Sequence, residues 1–179
     1  MSLSVDGYFE GPDGDLSWHM VDEEVHSYVN DVLRPMGLFL NGRVNYELMQ
    51  AYWPTADEDP ASPEPIVDFA RIWRETPKIV YSRTLEHADG NTTIVREVVA
   101  DEVNELKAQP GGDLALGGAT LAAAFMAQDL IDEYLLYIHP VIVGGGRKPF
   151  GPLDRRQSLT LVDTHTFGNG VVHLHYRRD

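Results

Sequence analysis

The sequence predicts an α/β fold: a mostly parallel sheet, covered by helices on both faces and finished by an antiparallel hairpin at the C-terminus. Two patterns predict it. Short apolar runs alternate with amphipathic helical segments along most of the chain, the signature of strand–helix–strand units. The last two apolar runs are then separated by a turn at Gly168, Asn169 and Gly170. The 179 residues suit a single domain spanning 1–179.

The elements follow in order. Leu3 to Phe9 reads as a strand closed by the turn-rich EGPDGD. Asp22 to Leu33 has apolar residues at helical spacing, with Asp22 as N-cap and Pro35-Met36-Gly37 ending it. Leu38 to Leu40 is a short strand, Val44 to Tyr52 a helix and Ile66 to Arg74 another helix. Between those helices, Pro54 to Pro65 is rich in Pro, Ala and acids, a long exposed loop of the functional or mobile kind. Lys78 to Ser82 and Thr92 to Val95 are strands. Glu102 to Lys107 is a helix capped by Asp101, Leu114 to Leu116 a strand, and Thr120 to Gln128 an Ala-rich helix. Leu135 to Val143, Leu159 to Val162 and Val171 to Tyr176 complete the strands.

Composition narrows the function. Hydrophobic residues are 43% and charged residues 23%, ordinary for a globular chain with one core. The absence of cysteine excludes disulfides, thiolate metal sites and a Cys nucleophile. With no secretory signal and no apolar run of membrane-spanning length, the expected location is cytoplasmic, with no membrane partner. The net charge of −14 argues against nucleic acid and repels anions generally. Any phosphate site must therefore be assembled locally from Arg side chains and backbone N–H groups.

Three junctions could supply one. Gly117-Gly118-Ala119-Thr120-Leu121 joins a strand to a helix: the glycines admit a ligand close to the backbone, and the helix start offers unpaired N–H groups. Gly42-Arg43-Val44-Asn45 is a second strand–helix junction, where Arg43 either reaches a phosphate or pairs with Glu47 one turn on. Ser82-Arg83-Thr84 follows a strand and pairs a hydroxyl with a guanidinium, a combination suited to a phosphate dianion. All three fall at the carboxyl ends of strands, where open α/β sheets bind ligands. Asp6 ends the first strand; half buried there, it would have a raised pKa and could deliver a proton, or it is a plain Asp-Gly turn. Trp18, Tyr52 and Trp53 could stack on a flat heterocycle or simply pack. His173 and His175 share a strand face, and with His165 raise the alternative of a metal-dependent hydrolase, although no third ligand is specified; no metal is expected. Gly144-Gly145-Gly146-Arg147-Lys148 lacks P-loop spacing.

The stretches SLSVDGYFEGPDGDLSW, LNGRVNYELMQAYWP, IVYSRTL, LALGGATLAAAF and YIHPVIVGGGRKPF, in this order, resemble the dihydrofolate-reductase-like family, in the branch of the riboflavin-biosynthesis (RibD C-terminal) reductases. The resemblance implies a three-layer α/β/α sandwich and an NADPH cofactor. It implies that Gly42, Arg43, Val44 and Asn45 line the pyrophosphate, that Ser82 and Arg83, followed by Thr84, hold the 2′-phosphate, and that Gly117, Gly118, Ala119, Thr120 and Leu121 cradle the phosphates and the nicotinamide side. Asp6 matches the acidic position associated with proton transfer in that branch, and Trp18, Tyr52 and Trp53 would wall the substrate. The implied activity is hydride transfer to a small pyrimidine- or pteridine-like ring, as in 5-amino-6-(5-phosphoribosylamino)uracil reductase or dihydrofolate reductase; the alternative is a non-catalytic NADP(H)-binding protein with the same fold. Homodimers are frequent among such relatives. Asn45 departs from the family's GRxT pattern, and no carboxylate after Trp18 aligns with the folate-protonating acid.

Overall fold

The structure is a computed structural model and describes residues 1–151 and 156–179. The chain divides into two compact units, one made of Met1–Val25 with Ala122–Asp179, the other of His26–Leu121. Helix α1 (Glu23–Leu33) begins in the first unit and continues into the second. Helix α5 (Ala119–Met126) runs the opposite way, from the second into the first.

The second unit is a parallel α/β layer. Strands β2 (Leu38–Gly42), β3 (Lys78–Tyr81), β4 (Thr92–Val95) and β5 (Leu114–Gly117) pair in the order β4-β3-β2-β5, every pair parallel. Side chains alternate across a strand, so Phe39 and Val80 point to one face and Leu40 and Ile79 to the other. On the first face, α2 (Arg43–Tyr52) and α3 (Glu64–Glu75) deliver Tyr46, Phe69, Ile72 and Trp73 into a cluster with Phe39 and Val80. The α3 contributions recur at helical spacing, which is why that helix is so clearly amphipathic. On the other face, Glu102 of α4 (Ala100–Ala108) acts electrostatically on Tyr81, whose pKa is raised mainly by burial. Helices thus cover both faces of this sheet.

The first unit holds the mixed sheet β1-β6-β8-β7. β1 (Ser2–Ser4) lies parallel to β6 (Glu133–His139), and β7 (Leu159–Thr166) and β8 (Val172–Arg178) form the expected antiparallel hairpin. The architecture is therefore the α/β arrangement read from the sequence, with its ladders organised as two four-stranded sheets.

Several boundaries differ for local reasons. The first strand stops at Ser4 rather than Phe9, because the chain turns at once: Gly7 N–H donates to the Ser4 carbonyl and Gly7 sits at φ +82°. β6 ends at His139, ahead of Pro140. α5 ends at Met126 rather than Gln128, where Asp129 adopts φ 58° and Leu130 N–H returns to the Phe125 carbonyl, a left-handed helix stop. Asp22 caps α1 as expected, accepting the Val25 N–H at 3.0 Å. Asp101 does not cap α4: it lies inside the first turn, and the cap position is Val99, which has no side chain able to accept. The Pro54–Pro65 stretch is pinned rather than loose, since Arg74 grips both Asp57 oxygens at 2.7 and 2.6 Å and Ser62 Oγ donates to the Ala56 carbonyl.

Candidate functional site

The three anion-binding junctions lie along one edge of the parallel sheet. β3, β2 and β5 are consecutive neighbours, and register places Gly42 beside Tyr81 and Asn41 beside Gly117. Their carboxyl tips therefore bring Ser82-Arg83, Gly42-Arg43 and Gly117-Gly118 side by side. α2 and α5 start directly from two of these tips, so their first-turn N–H groups, which lack intrahelical partners, emerge at the same edge.

The glycines make that closeness possible. A Cβ on Gly117 would sit 2.8 Å from Asn45 Nδ2 and 2.9 Å from Asn41 Oδ1. Gly118 stands at φ +98°, with a Cβ position 3.2 Å from Asn45 Cβ. Gly42 has an ordinary extended backbone, and a Cβ there would only touch Leu121 at 3.5 Å. Asn45, the departure from the family pattern, donates from Nδ2 to Asn41 Oδ1 at 2.7 Å. Asn41 is 4% exposed and its own Nδ2 finds no partner, leaving a buried donor unsatisfied against the glycine junction. An unpaired amide donor, two helix starts and a backbone cradle suit an anionic, oxygen-rich ligand such as a dinucleotide.

The basic side chains divide. Arg43 forms the helix-surface pair with Glu47 at 2.7 Å, so the phosphate role implied for it is not the one its guanidinium holds in this structure. Arg83 and Thr84 are exposed at the tip of β3. Ser82 is buried, and its Oγ accepts the Thr84 and Leu85 N–H groups at 3.2 and 2.9 Å, which shapes the turn rather than presenting its lone pairs to a ligand. Arg96 was not singled out from the sequence. It follows β4 as Arg83 follows β3, and it donates to the Ser82 and Leu85 carbonyls at 2.9 and 2.6 Å, locking the turn. A basic residue directly after a strand was the signal that could have found it.

Asp6 overturns its expectation. Its oxygens accept the Val143 and Gly144 N–H groups at 3.1 and 2.8 Å; with a Ser4 side-chain hydrogen bond as the largest cause, its pKa is lowered, not raised. It stays ionised at neutral pH and clamps the 143–144 turn, the wrong state for donating a proton. Trp18 donates from Nε1 to the Asp15 carbonyl at 3.0 Å and packs edge-on to His19 and His139, so it is packing rather than a free stacking platform. Trp53 likewise packs on Phe69 with 4.4 Å between centroids and donates to Met49 Sδ. Tyr52 is the available aromatic, half exposed at the end of α2. Among the described residues no group of three His, Asp or Glu is placed to hold a metal, and His175 is paired with Glu133 at 2.7 Å. Among the described residues, no helix is long and apolar enough to cross a membrane either.

A cleft of about 350 Å³ opens at the opposite end of the same sheet, against Leu38, Lys78 and Leu114, the first residues of their strands. It is remote from the helix starts and from the carboxyl tips where this class of sheet binds ligands.

Comparison with known proteins bears on the fold and the family. The chain is 33% identical over 177 residues to the uncharacterized protein YyaP of Bacillus subtilis (strain 168), covering 98% of this chain and 91% of that one. Among solved structures it is similar to a diaminohydroxyphosphoribosylaminopyrimidine deaminase/5-amino-6-(5-phosphoribosylamino)uracil reductase from Thermotoga maritima, with a TM-score of 0.66 and 15% identity over 99% of this chain and 55% of that one. It is also similar to the dihydrofolate reductase of Enterococcus faecalis complexed with NADP(H), with a TM-score of 0.61 and 13% identity over 99% of this chain and 93% of that one. At these identities the structural likeness establishes a dihydrofolate-reductase-like fold. The sequence profile of the RibD C-terminal domain matches residues 1–173, and the chain belongs to that family, whose members include reductases.

Proposed function

We propose that the protein is an NADPH-dependent reductase acting on a small heterocycle of pyrimidine or pteridine type. The observation that carries this reading is the pair of glycine-linked helix starts at adjacent strand tips, with the exposed Arg83 beside them, in a chain whose overall charge repels anions. When bound, NADPH supplies the hydride. The first-turn N–H groups of α2 and α5 hold the pyrophosphate, the Gly117-Gly118 backbone allows its close approach, and the Asn41 amide donates to a ligand oxygen. Arg83 would hold the 2′-phosphate, the group that separates NADPH from NADH. Tyr52 contributes a ring face to the substrate. Because Asp6 is held as a carboxylate, the accompanying proton comes from water.

The expected homodimer has support in β7, the outer strand of its sheet, which leaves Leu159, Leu161 and Val162 exposed.

Titrating the protein with NADPH and NADH by nicotinamide fluorescence tests the cofactor assignment. NADPH should bind at least about tenfold more tightly, and Arg83→Gln should erase the difference, as loss of a charge-assisted contact implies. Equal affinity for the two nucleotides in the wild type would remove Arg83 from the site. Tight NADPH binding without oxidation by any ring substrate would identify a non-catalytic binding protein instead.

A further inference from the structure

β7 is the outer strand of the β1-β6-β8-β7 sheet, and all 8 of its residues are exposed. Outer strands of this length are commonly blunted by Lys or Pro, and the segment LTLVDTHT has neither. Along such a strand, backbone groups turned inward to the neighbouring strand alternate with groups turned outward. Phe167 N–H donates to the Val171 carbonyl, so Phe167, His165 and Asp163 belong to the inward set facing β8. Thr166 and Thr164 are then the outward set. The irregularity between Leu161 and Asp163 leaves Val162 as an extra residue and resets the alternation there. The open ladder therefore runs from Val162 to Thr166 and centres on Thr164.

We propose that β7 pairs antiparallel with the β7 of a second copy of this chain, about a two-fold axis at Thr164, and that two Asp163–His165 pairs across the axis fix the register. The inference stands apart from NADPH and catalysis; from the proposed function it takes only the homodimer, and says how the two copies join. With Thr164 opposite itself, outward N–H groups meet outward carbonyls on both copies, and Val162 lies opposite the partner's Thr166. Asp163 then falls opposite the partner's His165, at a position outside the hydrogen-bonded pairs, where facing side chains stand closest. Symmetry makes the contact twice. Within its own chain Asp163 lies across from His175, which Glu133 already holds at 2.7 Å, and His165 rests edge-on to Phe167 with 4.6 Å between centroids. Other registers are worse. Sliding one strand by two residues sets Asp163 against the partner's Asp163 in one direction and His165 against the partner's His165 in the other. A slide of one residue faces outward groups with inward ones. An unrelated extended peptide would gain the backbone bonds without matching this spacing of carboxylate and imidazole, so the occupant is the chain itself.

The sequence contains no cysteine, so a single introduced thiol reports its own neighbour. Sedimentation equilibrium should show a wild-type dimer. Under mild oxidation Thr164→Cys should crosslink almost completely, because facing Cα atoms at such a position stand roughly 5.5 Å apart, within disulfide reach. Thr166→Cys should stay uncrosslinked, since about four residues of strand, roughly 13 Å, would separate the two thiols. Asp163→His and His165→Asp should each weaken the dimer about tenfold by setting like groups opposite, and the two exchanges together should restore it. A wild-type dimer in which Thr164→Cys does not crosslink, or in which Thr166→Cys crosslinks as fast, overturns the pairing and leaves the homodimer standing on another face. A double exchange that dimerises no better than the single ones overturns the register. A wild-type monomer overturns pairing and homodimer together. NADPH titration of the wild type tests the reductase reading separately.

Discussion

At the scale of single residues, the site is defined more by glycines than by charged side chains. Gly118 occupies a left-handed backbone conformation and lies against Asn45, whereas Gly42 is extended and has room for a methyl group. The two substitutions should therefore separate stability from binding. Gly118→Ala forces a Cβ into a strained conformation beside Asn45 and should cost about 1–3 kcal/mol in urea unfolding. Gly42→Ala should leave the urea midpoint within about 0.5 kcal/mol of wild type, since it adds only an ordinary contact. On the proposed function it should nevertheless weaken NADPH binding, because the added methyl stands at the strand–helix junction assigned there to the phosphates. Equal stability of the two variants would show that the left-handed turn carries no constraint.

At the scale of elements, the start of α2 is partly occupied by its own charges. Arg43 and Glu47 are both exposed, and such a pair is worth less than about 1 kcal/mol, so it holds Arg43 only weakly against a competing phosphate. Glu47→Gln should release Arg43 and remove a negative charge from the helix start, tightening NADPH binding by roughly two- to fivefold at low salt and less at high salt. A titration in which the variant binds no better would place Arg43 outside the phosphate field. This element also shows how far the sequence could be read. The strand–glycine–helix junctions were legible because backbone geometry demands particular residue types at fixed offsets, and Phe69, Ile72 and Trp73 were legible because helical burial is periodic. The choice between two partners for Arg43 was not, since i,i+4 pairing and phosphate binding call for the same residue. Asp6 was harder still: the N–H groups that hold it ionised lie 137 and 138 residues away, and no local pattern announces them. The packing of Trp18 was hidden for the same reason, its neighbour His139 arriving from a distant strand.

At the scale of the whole molecule, the buried ionisable groups set how stability responds to pH. His139 is fully buried, its Nδ1 accepts the Met20 N–H at 3.0 Å, and its pKa is lowered from 6.5 to about 4, chiefly by burial. His173, also buried, is lowered to about 4, and the Met1 amino group from 8.0 to about 5, again mainly through burial. In each case the unfolded chain binds the proton more readily than the folded one. Their contribution is complete above the unfolded value and is lost as pH falls toward the folded value. Lys78 extends the trend upward. Its ammonium is buried between the Thr76 carbonyl, Asn91 Oδ1 and the Trp73 ring, and its pKa falls from 10.5 to about 8 by desolvation. The folded state sheds this proton first, so stability should continue to rise with pH above 8 until Tyr81 and Tyr134, whose pKa values burial raises, begin to ionise in the unfolded chain. Urea midpoints measured from pH 4 to 9.5 should therefore climb throughout. Lys78→Met should flatten the segment above pH 8 without changing the slope between pH 4 and 6.5. His139→Gln should do the reverse, removing up to about 3 kcal/mol from the acid segment. A wild-type profile that is level from pH 5 to 9 would mean that these buried groups exchange protons as freely in the fold as in the unfolded chain, which their burial forbids.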